Sequence, residues 1–142
     1  MDTQVRYLLA YKKLPLLTVD IDEPLLSAVA MMNTYKVGAV LVVHNNNLVG
    51  IFTERDILTK VIGQYDPLGI AVGEVMTANP LTISLETTVT EAMTLITENR
   101  FRHLPVVDGN KLIGLISSGD LTRWMVQAQE SEIHSLHEYI SG

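Results

Sequence analysis

Two short strings in this chain set a hydroxyl and a carboxylate at the same spacing: Gly50-x-x-Thr53-x-x-Asp56 and Gly114-x-x-Ser117-x-x-Asp120. Each follows an apolar run and precedes a stretch of helical periodicity. Ser or Thr therefore falls at a strand end and Asp in the first turn of a helix. An Asp there is stabilised by the unpaired N–H groups of the turn and can also accept from an outside donor. Its two oxygens match the two vicinal hydroxyls of a ribose, through charge-assisted bonds of about 1.5–3 kcal/mol each. The adjacent hydroxyl and N–H groups suit a phosphate. The same residues also make an ordinary helix cap, and the sequence leaves both readings open. Enzyme signatures are missing: there is no Ser-His-Asp set with a glycine elbow, no H-E-x-x-H and no P-loop string. His134 and His137, three apart on a predicted helix, read as a solvated face rather than metal ligands, since no carboxylate–histidine cluster supports them.

The strings must be positioned by something, and the chain supplies it twice. Shifting the sequence by 64 positions lays Leu17-Thr18-Val19 on Leu81-Thr82-Ile83, Ala28 on Ala92, Val42-Val43 on Val106-Val107 and Asp56 on Asp120, without a gap from residue 17 to 58. Each copy reads as a strand, a helix, an apolar strand, a tight turn, a second strand and a second helix. The turns Asn45-Asn46-Asn47 and Asp108-Gly109-Asn110 carry the residues that hairpins with positive φ require. The expected fold is α+β: tandem β-α-β-β-α modules at 14–62 and 76–126 packed with pseudo-twofold symmetry, with a linker at 63–75 and a C-terminal helical extension at 127–142. A lone copy of this size is marginal, so two sharing a core is the stable solution.

Composition narrows the class. The 142 residues are 47% hydrophobic and 18% charged, which excludes a disordered chain. No apolar run reaches the roughly 18 residues of a membrane span, and no signal peptide is expected. The absence of cysteine excludes a disulfide framework and suits the cytoplasm. Ten basic residues against 16 acidic ones, a net charge of −6, argue against nucleic acid as a partner. Lys36, Arg55, Arg100 and Arg102 nevertheless fall beside the repeated strings.

The repeat resembles the cystathionine β-synthase (CBS) domain pair, or Bateman module, over about residues 14–126. The resemblance is carried by Arg102-His103-Leu104-Pro105-Val106-Val107-Asp108 and Leu112-Ile113-Gly114-Leu115-Ile116-Ser117-Ser118-Gly119-Asp120. In the first copy its counterpart is Leu48-Val49-Gly50-Ile51-Phe52-Thr53-Glu54-Arg55-Asp56, and Met76-Thr77 resembles the family's lead-in. The resemblance implies a stand-alone, non-catalytic regulatory module that needs no cofactor. It would bind AMP, ADP or ATP between its two copies and signal through a conformational change to an effector protein. It implies Asp56 and Asp120 as ribose ligands, with Thr53, Ser117, Lys36, Arg55, Arg100, Arg102 and His103 near phosphate. Val37, Gly38, Phe101, Ile21 and Leu85 would surround the base. Only the second copy carries the Arg–His pair, so the two sites are expected to be unequal. The alternatives within the family are a structural or interaction pair that binds no nucleotide, and a binder of S-adenosylmethionine.

Beyond the repeat, Trp124, Met125 and Ala128 fit the module's own core face. Ile133, Leu136 and Ile140 form a further stripe with no partner in the repeat, and Glu130, Glu132 and Glu138 read as solvated. The unpartnered stripe and the resemblance both point to a homodimer.

Overall fold

In a computed structural model, residues 2–63 and 66–141 are described, with side chains described up to His134 and at Leu136. The linker residues Gln64 and Tyr65, and the side chains of His137, Glu138 and Ile140, lie outside the described set. The elements run α1 (Val5–Tyr11), β1 (Thr18–Asp20), α2 (Leu25–Tyr35), β2 (Ala39–His44), β3 (Asn47–Thr53) and α3 (Glu54–Asp56), which continues as a π-helical turn over Ile57–Val61. They go on with a 3-10 turn at Val72–Glu74, β4 (Thr77–Ala78), β5 (Ile83–Ser84), α4 (Val89–Asn99), β6 (His103–Asp108), β7 (Lys111–Ser117) and α5 (Ser118–Ser141).

Each module builds its sheet by the same rule. A short parallel strand precedes the first helix, and an antiparallel hairpin follows it, giving the orders β1-β2-β3-β4 and β5-β6-β7. The hairpins turn as their residues require. Asn45 and Asn46 adopt φ of 50° and 65°, and Gly109 adopts 61°. Both hairpins slip register at the same repeat position, between Val42 and Val43 and between Val106 and Val107. β2 is buried along most of its length because helices cover one face and the other module's sheet covers the other. Ala39, Leu41 and Ile51 meet Leu112 and Leu115 at that seam.

Three features depart from the repeat. The first concerns α1, which precedes the first module but completes the second. Val5 and Leu8 are buried among Ile83, Val89, Ala92, Leu104 and Ile116. The Val5 N–H donates to the Thr87 carbonyl at 2.7 Å, and the Val89 N–H to the Thr3 carbonyl at 2.7 Å. In return, the segment before the second module completes the first. Val72 and Val75 lie in the first module's core, and β4, inside the range expected for module 2, pairs with Gly50 and Ile51 of β3. The linker is thus partly core.

The second departure is the first copy's closing helix, which ends after two turns, with Ile62 extended and Gly63 left-handed at φ 82°. The third is α5, which runs unbroken for 24 residues. Trp124 packs on the second core as expected. Met125 is 40% exposed and Ala128 is exposed, because they line an open groove between α5 and α4, with Met93 and Thr97, rather than the core.

Candidate functional site

Both strings fold as anticipated at the strand-to-helix junctions, and both are capping boxes. The Thr53 N–H donates to Asp56 Oδ2 at 2.9 Å and the Asp56 N–H to Thr53 Oγ1 at 3.3 Å. The Ser117 N–H donates to Asp120 Oδ2 at 2.8 Å and the Asp120 N–H to Ser117 Oγ at 3.1 Å. Each box satisfies two orphan donors of its helix start. The carboxylates have further partners. Asp56, 4% exposed, takes the Thr77 hydroxyl at 3.0 Å and Lys60 Nζ at 3.0 Å on Oδ1. Asp120 takes Lys12 Nζ at 2.8 Å on Oδ2 and Arg123 Nη2 at 2.6 Å on Oδ1. Burial pushes the Asp120 carboxyl up. The hydrogen bonds and charge from Lys12 and the Ser117 N–H outweigh that and hold it below the ordinary Asp value.

Each Asp opens onto a cleft walled by the other module. The Asp56 cleft, about 700 Å³, is closed opposite by Arg100, Phe101, Arg102 and His103. The Asp120 cleft, about 580 Å³, is closed by Lys36, Val37, Gly38 and Ala39, with His103 and Leu85 alongside. Both volumes suit a small molecule. The crossing arises from the strand ends. His103 pairs with Ser117 and Ala39 with Thr53 in their own sheets, so the residues just before β6 and β2 project across the seam. Lys36 and Arg100 hold equivalent places as left-handed caps of α2 and α4.

The expected site residues are distributed accordingly. Thr53, Arg55, Arg100, Arg102 and Phe101 gather around Asp56, while Ser117, Lys36, Val37 and Leu85 gather around Asp120. Gly38 and His103 touch both clefts. Because of the crossing, Arg102 of the second copy faces the first copy's Asp. One expectation is corrected. Ile21 lines neither cleft; it sits against the first core, pressed on Gly73, where any Cβ would collide with it. His103 carries no charge at neutral pH, since burial, then the Lys12 charge, push its pKa down to about 4.

Several lining residues escaped the sequence reading. Leu58 and Leu81, 70% and 40% exposed, stand with Phe101 as bare apolar walls of the Asp56 cleft. Leu17, the repeat equivalent of Leu81, lines the other cleft, so the repeat itself held that signal. Arg6, Lys12, Lys60 and Arg123 join the clefts from positions whose repeat equivalents, Ile70, Met76, Trp124 and Thr59, carry no charge. Eight of the chain's ten basic residues thus line the two clefts, four in each.

Away from the clefts, Asp20, Asp22 and His44 bring donor atoms within 4.8 Å of one another, a carboxylate–histidine group that the sequence reading did not foresee. Asp20 Oδ1 there accepts the Asp22 N–H at 3.0 Å, an ordinary Asx turn.

Residues 11–63 and 72–127 each match the family model described as the CBS domain. The chain belongs to the CBS domain family. As a CBS pair it is a regulatory module in class. Among its relatives, the mitochondrial CBS domain-containing protein CBSX3 of Arabidopsis thaliana is 39% identical over 127 residues, 85% of this chain and 62% of the relative. YhcV of Bacillus subtilis is 32% identical over 104 residues, 73% of this chain and 74% of the relative. The CBS pair spans about three fifths of CBSX3 and under a fifth of the Arabidopsis CBSCBSPB proteins it also matches.

Solved structures agree. A protein with CBS domains from Burkholderia ambifaria shares 38% identity at TM-score 0.83, covering 89% of this chain and 96% of that one. CBSX2, solved in complex with AMP, shares 27% identity at TM-score 0.76, covering 88% of this chain and 97% of that one. Among the described residues, no helix is long and apolar enough to cross a membrane.

Proposed function

We propose that this CBS pair is a non-catalytic sensor that binds an adenosine nucleotide (AMP, ADP or ATP) between its modules and passes occupancy on to an effector protein. The observation that carries this reading is the concentration of cations. In a chain of net charge −6, Arg55, Lys60, Arg100 and Arg102 converge on one cleft. That cleft also holds a carboxylate for a diol and bare apolar walls for a base. Charge-assisted contacts to phosphate supply affinity, and the rims of Leu58, Leu81 and Phe101 supply the apolar slot. The AMP complex of CBSX2 supports the choice of ligand class. Ligand binding changes the pair only through differential affinity for two arrangements of the modules.

Calorimetry with AMP, ADP, ATP, S-adenosylmethionine and adenosine tests the reading. At least one adenine nucleotide is expected to bind; no heat from any of them overturns it. Arg102→Ala is expected to weaken ATP binding about tenfold or more, the loss of one charge-assisted bond, while leaving adenosine nearly unchanged. Equal losses for both ligands would remove Arg102 from the phosphate role. A second reading, an interaction module that binds no nucleotide, is favoured by one observation: both carboxylates already have internal cations.

The exposed Ile133 and Leu136 of α5 carry a further part of the proposal, that the chain forms a homodimer in the cytoplasm. That a CBS-CP12 protein, 28% identical at TM-score 0.75, is hexameric supports an assembly of this kind.

A further inference from the structure

The two clefts carry one motif, but their carboxylates are held differently. At Asp56 the cation is Lys60, one turn along the same helix, with a side chain 40% exposed. Its Nζ also donates to the Met76 carbonyl at 3.2 Å and the Thr77 hydroxyl at 3.3 Å, longer bonds that a rotation of this more exposed side chain releases without moving any backbone. At Asp120 the cation arrives from 108 residues away. Lys12 is the C-terminal cap of α1, and its side chain is 23% exposed. Its Nζ donates both to Asp120 Oδ2 at 2.8 Å and to the Leu115 carbonyl at 2.7 Å.

The helix behind Lys12 is anchored. Val5 and Leu8 are buried in the second core, Leu9 lies over Gly114, and the Tyr11 ring meets Trp124 at 5.8 Å. A diol approaching Asp120 therefore meets an ammonium already bonded to one oxygen. Arg123 holds the other.

We propose that Lys12 decides which cleft takes a ligand: from α1 it closes the Asp120 cleft, leaving the Asp56 cleft as the open one. Entry at Asp120 requires the Lys12 ammonium to give up both Asp120 Oδ2 and the Leu115 carbonyl. Occupancy of the second cleft is thereby tied to a helix that also forms part of the second module's core. The inference rests on the nucleotide reading above for the identity of the ligand, though not for the closure itself.

Titration of AMP counts the sites. The wild-type chain is expected to bind one equivalent and Lys12→Met two; binding of AMP by both proteins with equal stoichiometry overturns the proposal. Lys12→Arg, which keeps the charge and most of the stem, is expected to stay at one, and two equivalents there would also overturn it. A second readout needs no nucleotide. The His103 imidazole, held down to about 4 partly by the Lys12 charge, is followed by NMR titration. Its pKa is expected to rise in Lys12→Met, and an unmoved His103 overturns the contact. If AMP binds neither protein while His103 moves, the nucleotide reading fails and the Lys12 closure stands.

Discussion

Lys36 and Arg100 end their helices in the left-handed region, at φ 55° and 58°, where glycine is the residue that helix termination favours. An L-residue there costs about 1–2 kcal/mol, offset in part by roughly 0.3–1 kcal/mol from a cation at a helix C-terminus. A basic residue retained twice at such a position is the pattern of strain held at a working site. Arg100→Gly is therefore expected to raise stability by up to about 1 kcal/mol in urea denaturation while weakening nucleotide binding. A variant both less stable and unchanged in affinity would contradict this. His103 supplies a second residue-scale prediction. Its folded pKa of about 4 lies below the unfolded value near 6.5, so between those values the unfolded chain binds a proton that the folded one refuses. Stability is full above about pH 6.5 and falls by roughly 3 kcal/mol on acidification to about pH 4. His103→Gln should flatten that limb in unfolding curves recorded from pH 7 to 4. The Asp120 carboxyl, held low in the folded state, adds a further loss only below about pH 3.8.

At the scale of elements, the repeat made the two β-α-β-β-α units legible, because identical spacing of apolar residues demands identical strands and helices. Legibility stopped where an element's partner is distant in sequence. The run Tyr7-Leu8-Leu9-Ala10 shows no local reason to be a core helix; its reason is the second module, whose first strand begins at Ile83. Ile21 and Leu85 looked equivalent by register, yet only Leu85 reaches a cleft, since Ile21 is captured by the close approach of Gly73. The crossed placement of Arg102 depends on sheet-to-sheet packing, which no local pattern encodes. The glycines of the two strings separate these effects. At Gly50 a Cβ would meet the Met76 side chain and stand 2.9 Å from the Thr77 carbonyl oxygen, whereas at Gly114 it would meet only the mobile end of Leu9, at 2.9 Å. Gly50→Ala is expected to destabilise by about 1–3 kcal/mol, and Gly114→Ala by less. The reverse order in chemical denaturation would show that β4 is not held as described.

For the whole molecule, the distribution of charge matters more than its sum. With eight basic residues committed to the clefts, the outer surface is left more acidic than the net −6 suggests, which disfavours broad polyanion binding while permitting a local phosphate site. The apolar surplus has a matching explanation in two cores, a seam between the sheets, and exposed Ile133 and Leu136 on α5. A chain ending at Gln129 is expected to scatter light as a monomer where the parent scatters as a dimer, and equal masses would remove α5 from the interface.

The exchange of flanking segments also sets an order of events during synthesis. Val5 and Leu8 are made early, but the surface that buries them is not complete until Leu121 has been added. The first module, by contrast, closes as soon as Val72, Val75 and β4 follow it. The segment that forms α1 is too short to hold a helix by itself, and the surface that covers its apolar face is completed only after the module between them has been made.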